Sequence, residues 1–179
     1  MKRDTHELFK VPMWHLSDNK LPKGIYEWCY NYPKTHPSVE TAKSNRGGYQ
    51  SIVSYNFKEF KYTKYLLSDL EFLPPFHLTG WWINVNKKGN YNISHTHANT
   101  DLAVVWYITD GSLIIEDPNE HNKHFIDWVQ PIYKEHLTYS MGCKAGDILI
   151  FPAYIRHWVE PHTENSPRIS IAFNLNRAN

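Results

Sequence analysis

The apolar positions change rhythm near residue 75. In residues 21–32 and 62–72 they recur every three or four places, which predicts two amphipathic helices, the first with Pro22 in its opening turn. Between them, residues 33–48 are rich in Pro, Ser, Thr and Gly and predict an extended surface loop. From residue 76 the runs shorten. Segments 78–85, 92–96, 102–108, 113–116, 124–129, 138–141, 147–151 and 169–175 predict eight short strands. Lys88-Gly89-Asn90, Asp110-Gly111 and residues 144–147 supply the chain reversals between them. Many short strands behind two helices predict a mainly β sandwich or barrel with N-terminal helical support.

At 179 residues the chain suits one domain, 1–179, with 1–75 as helical and loop support and 76–179 as a jelly-roll core. Seven Trp and twelve Tyr provide large apolar surface for that core. A net charge of +1 provides no general field for nucleic acid or an anionic membrane, so neither is expected as a partner. Lys58, Lys61 and Lys64, interleaved with Phe57, Phe60, Tyr62 and Tyr65, are read as the solvated face of a helix. Cys29 and Cys143 form no Cys-x-x-Cys pair, so no disulfide framework or thiolate zinc site is expected and a cytoplasmic location is. The N-terminus lacks the apolar stretch of a signal peptide, and the longest apolar run, 102–108, is too short to span a bilayer.

Successive side chains of a strand alternate faces, so His95 and His97 point the same way and can share one metal ion. In a chain with eleven histidines such a pair also arises by chance. Residues 146–157 add a tight turn, a buried apolar strand and a corner ending in His157, which is placed to supply a third ligand. Beside Trp158 it also fits a hydrogen-bonded core histidine; the pair upstream favours the ligand. Three protein ligands leave coordination positions open, which suits non-haem Fe(II) that must bind dioxygen and a cosubstrate. Asp101, four residues past His97, is the alternative ligand, since iron sites commonly include a carboxylate. Geometry favours His97.

Residues 167–175 place Arg168, Ser170, Ala172 and Asn174 on one strand face and Ile169, Ile171, Phe173 and Leu175 on the other. The polar face meets either water or a cavity. In a cavity the Arg168 fork grips a carboxylate in bidentate fashion and the Ser170 hydroxyl adds a donor. A dicarboxylate held by the metal at one end and by Arg168 at the other accounts for all five residues. Tyr107 shares parity with Asp101, Ala103 and Val105, which would bring its hydroxyl towards that ligand. Trp81, Trp82, Trp106, Tyr107 and Trp158 lie near the site in sequence and are candidates for an aromatic wall, although most are expected in the core.

At these residues the sequence resembles the Fe(II)- and 2-oxoglutarate-dependent oxygenases, specifically an oxygenase group of bacteria and phages. The resemblance runs through residues 44–51, Trp82-Ile83-Asn84-Val85-Asn86, His95-Thr96-His97, residues 146–157 and residues 168–174. It implies a double-stranded β-helix, with Fe(II) on His95, His97 and His157. It also implies 2-oxoglutarate on Arg168 and Ser170, with Asn84 and Tyr107 counted among the cosubstrate residues. The implied reaction hydroxylates an unidentified substrate with dioxygen and releases succinate and carbon dioxide. Where the wider superfamily has His-x-Asp, this chain has His-x-His. Two other readings compete. The first is a cupin-type metalloenzyme without 2-oxoglutarate, suggested by the spacing of Gly89, His95, His97 and Asp101 ahead of Gly146, Pro152 and His157. The second is a non-catalytic jelly-roll binding protein.

Overall fold

The computed structural model describes residues 11–39, 44–119 and 137–178. The strands are β1 (Trp14–Leu16), β2 (Asn45–Arg46), β3 (Tyr49–Gln50), β4 (Phe76–Asn86), β5 (Tyr91–His95), β6 (Leu102–Tyr107), β7 (Gly111–Glu116), β8 (Thr138–Cys143), β9 (Ile148–Pro152), β10 (His157–Val159) and β11 (Arg168–Arg177). They form two antiparallel sheets, one of six strands in the order β1-β9-β6-β11-β4-β3 and one of five in the order β2-β5-β10-β7-β8. This is the mainly β, double-stranded β-helix architecture that the resemblance implies.

Strand parity divides the apolar residues into two layers. Ile83, Val104, Trp106, Ile150, Ile171 and Phe173 point away from the second sheet and pack with Ile25, Cys29, Leu66 and Leu70 of the helical segment. Ala103, Tyr107, Leu149 and Phe151 point the other way, towards Leu113 and Ile155, and fill the space between the sheets. Strand β9 is covered on both faces, so all five of its residues are buried and it reads as an uninterrupted apolar run.

The helices are shorter than the periodicity predicts. Helix α1 spans Ile25–Asn31 and begins after Gly24, whose φ of 80° reverses the chain; Pro22 therefore lies in the preceding turn, where its carbonyl accepts the Ile25 amide. Helix α2 spans Thr63–Asp69. Lys58 and Lys61 precede it, and the Lys61 ammonium lies over the rings of Trp28 and Tyr62, 5.7 and 5.0 Å from their centres, instead of on a solvated helix face. Part of the predicted surface loop is internal: Asn45 is 5% exposed and pairs with Asn92 through β2. The predicted strand at 124–129 lies outside the described residues. No helix among the described residues is long and apolar enough to cross a membrane.

Candidate active site

Strand β5 carries an irregularity where it meets β10. His157 is opposite His95 and Val159 opposite Asn92, so two steps on β10 match three on β5. The extra residue is a bulge, which resets the side-chain alternation and turns both Asn92 and His95 inward. His97 lies past the end of β5, held by its amide on the Ala153 carbonyl at 2.9 Å. His157 opens β10 and is 3% exposed.

Each imidazole is oriented through Nδ1. His95 donates to the Ile93 carbonyl at 2.8 Å, inside the bulge. His157 donates to the Ile155 carbonyl at 2.9 Å, and His97 to Asn174 Oδ1 at 2.8 Å. A carbonyl oxygen only accepts, so these bonds put the proton on Nδ1 and leave each Nε2 with a free lone pair. One ligand atom from each ring lies within 4.8 Å of the others. Neutral rings with Nδ1 tied back are the donor set that a divalent transition metal requires.

Burial is the largest cause that lowers the pKa of all three histidines, and for His157 it acts with the neighbouring His95 to bring the value from 6.5 to about 3. The folded chain therefore binds fewer protons than the unfolded chain between those limits. The contribution of the neutral His157 ring to the stability of the metal-free protein is therefore fully present above pH 6.5 and is lost as the pH falls from there towards 3. The thermal midpoint in chelator should drop across this window, and drop less in His157→Gln; equal slopes for the two proteins would rule the contribution out.

Asp101 stands apart from the three rings. Its Oδ2 accepts the Arg177 amide at 2.9 Å, and it borders a different pocket with Leu73, Pro74 and Leu102. The carboxylate considered as an alternative ligand thus fastens β11 to the turn before β6.

The inner face of the six-stranded sheet carries the second cluster. In register, Ser170 lies between Asn84 on β4 and Tyr107 on β6, forming one row across three strands, and Arg168 pairs with Asn86 one row further along. All four predicted cosubstrate residues line the same cavity as the three histidines. Arg168 is 7% exposed; its Nη1 donates to the Glu160 carbonyl at 3.1 Å, whereas Nη2 is buried with no hydrogen-bond partner among the described residues. Asn84 Oδ1 is also buried without one. Burial, followed by Cys143, pushes the Tyr107 phenol well above its usual range, so it is a neutral hydroxyl. Gly111 makes room for this cluster: a Cβ there would lie 2.8 Å from Tyr107 Cε1 and 3.1 Å from Arg168 Cδ.

The aromatic wall is smaller than the sequence suggests. Trp82 and Tyr107 face the cavity, with Trp82 5.6 Å from the His97 ring. Trp81 and Trp106 have the opposite parity and lie in the helix-side core, and Trp158 lines an outer groove with Tyr91 and Ile93. Asn174, on the polar face of β11, holds His97, a role that the sequence alone does not display. Ser44, Asn86 and Asn92 also line the cavity, joined by hydrogen bonds that the Asn45 amide donates to Asn86 Oδ1 at 2.9 Å, the Asn86 amide to Asn92 Oδ1 at 3.2 Å and the Asn92 amide to Ser44 Oγ at 3.2 Å.

The architecture recurs in solved structures of low sequence identity. The non-heme alpha-ketoglutarate-dependent epimerase SnoN of nogalamycin biosynthesis superposes with a TM-score of 0.67 at 13% identity, covering 94% of this chain and 78% of that one. HygX of Streptomyces hygroscopicus, solved with nickel and 2-oxoglutarate, gives 0.62 at 10% identity over 94% and 84%. A Pseudomonas putida prolyl-4-hydroxylase gives 0.57 at 12% identity over 94% of both chains. No curated protein matches in sequence. The profile of the family described as "Putative 2OG-Fe(II) oxygenase" matches residues 80–174, more than half of the chain. The chain therefore belongs to that family of oxidoreductases, which depend on Fe(II) and 2-oxoglutarate and act with dioxygen on a prime substrate.

Proposed function

We propose that His95, His97 and His157 hold the iron, that Arg168 with Ser170, Tyr107 and Asn84 holds 2-oxoglutarate, and that the chain hydroxylates its substrate. The observation that carries this reading is one cavity with three converging imidazole lone pairs and an unpartnered buried guanidinium nitrogen. An orphaned Arg168 Nη2 costs free energy unless an anion meets it, and a carboxylate fits its fork. Iron, when bound, supplies oxygen activation coupled to decarboxylation of 2-oxoglutarate to succinate.

The chain's own part is placement. The bulge at β5, the Ile93 and Ile155 carbonyls and Asn174 hold the three rings at one point. Arg168 fixes the far carboxylate, while Tyr107, Ser170 and the Asn84 amide supply neutral donors along the row. Three neutral imidazoles add no charge, so the 2+ of iron and the 2− of 2-oxoglutarate cancel without a protein carboxylate. Trp82 shields the His97 side of the cavity from water. Residues 1–179 are taken as one working unit, and the free thiols Cys29 and Cys143 support a cytoplasmic setting.

His97→Ala should weaken Fe(II) binding far more than Asp101→Ala, measured by anaerobic iron titration. The reverse order would move the second ligand to Asp101. Product analysis of oxidised candidate substrates tests hydroxylation itself: incorporation of one oxygen atom from dioxygen is expected, and an oxidised product carrying none would contradict it.

A further inference from the structure

A second group of metal donors lies away from the three histidines. His15 on β1, Cys143 at the end of β8 and Asp147 just before β9 each offer a ligand atom within 4.8 Å of the other two. Asp147 precedes β9 and His157 follows its far end, and the strand's five residues span about 16 Å at ~3.3 Å each.

We propose that His15, Cys143 and Asp147 form a second metal site, which takes one zinc-like divalent cation and staples β1 to the turn between β8 and β9. The donor set is one imidazole, one thiol and one carboxylate, and mixed N, S and O ligands with a water in the fourth position match tetrahedral zinc. Its parts are already assembled. Asp147 is 4% exposed, and its Oδ2 is aimed by the Lys144 amide at 2.8 Å and meets His15 Nε2 at 2.8 Å. Cys143, also 4% exposed, has a 4.0 Å contact from its thiol to the Met141 carbonyl, and its sulfur also meets the Tyr107 hydroxyl. The His15 side chain is 31% exposed and opens a path from solvent.

Proton and charge balance follow from the same contacts. Burial, then the Asp147 carboxylate, pushes the Cys143 thiol up to about 12, so in the metal-free chain sulfur keeps its proton. Cation binding forms a metal–sulfur bond, breaks the S–H bond and releases that proton to water. His15 now donates its Nε2 hydrogen to Asp147; on binding it takes the Nδ1–H tautomer and gives its Nε2 lone pair to the metal, with no net proton change. The 2+ ion, one thiolate and one carboxylate then sum to zero, which suits a buried position.

Cobalt(II) distinguishes this site from the histidine site, because only a thiolate ligand produces an intense near-ultraviolet sulfur-to-cobalt band. Titration of metal-free full-length protein with Co(II) should yield two bound ions per chain and that band. His157→Ala should retain the band, so the result does not depend on the proposed iron site. Cys143→Ser should lose it, and His15→Ala, a change at a partly exposed position, should weaken the cobalt affinity read from it at least tenfold. No band in wild-type protein at saturating Co(II) would leave the cluster as a hydrogen bond that fastens β1 and would overturn the proposal. So would a band of full intensity in Cys143→Ser, since Cys29, at 0% exposure, would then be the ligand.

Discussion

Stoichiometric Fe(II) binding is expected to disappear in His157→Ala. Loss of a hydrogen bond that merely supports a metal ligand costs about 10–100-fold in affinity, and loss of the ligand itself should exceed roughly 100-fold. The cost is large here because the remaining donors cannot regroup: His95 is fixed by the bulge carbonyl of Ile93 and His97 by Asn174. The fold should survive, since the side chain's bond to the Ile155 carbonyl is local and β10 retains its backbone pairs with β5 and β7. Far-ultraviolet circular dichroism close to wild type, together with absent iron, is the expected pair of results. Wild-type iron affinity in this variant would remove His157 from the site.

Arg168→Ala is expected to raise the 2-oxoglutarate requirement while leaving iron affinity nearly intact, because the three imidazoles are oriented by Ile93, Asn174 and Ile155 and the guanidinium is bonded to the Glu160 carbonyl. Removing one partner of a buried ion pair costs ~3–5 kcal/mol, which corresponds to roughly a 100- to 4000-fold rise in the 2-oxoglutarate concentration for half-maximal turnover. Arg168→Lys should recover part of that loss, since it restores the charge but not the two-pronged geometry. Succinate formation without prime substrate is the readout. Unchanged dependence on 2-oxoglutarate in Arg168→Ala would place the cosubstrate elsewhere.

Strand β11 was the most legible element because its two faces meet different surroundings. Ile169, Ile171 and Phe173 face the helix-side core, Arg168 and Ser170 face the cavity, and simple alternation records the difference. Alternation on β6 similarly brought Tyr107 into the cavity. Continuous strand parity predicts that His95 and His97 converge, whereas the structure ends β5 at His95, inserts a bulge before it and places His97 through Ala153 and Asn174. That bulge leaves no composition signal. Strands β2 and β3 have two residues each, too few to display a period, so the buried Asn45 was hidden in what reads as a polar loop. Asn174 meets His97 across 77 positions and Asp147 meets His15 across 132. Only the sheet topology brings such residues together.

The most direct test of the shared cavity is anaerobic addition of Fe(II), then 2-oxoglutarate, to metal-free protein, followed by visible absorption. Expected is a weak charge-transfer band that saturates at one iron and one 2-oxoglutarate per chain, is absent in His157→Ala, and in Arg168→Ala requires at least ~100-fold more 2-oxoglutarate. A band that forms unchanged in His157→Ala, or iron-loaded wild-type protein that shows none at saturating 2-oxoglutarate, would contradict the assignment.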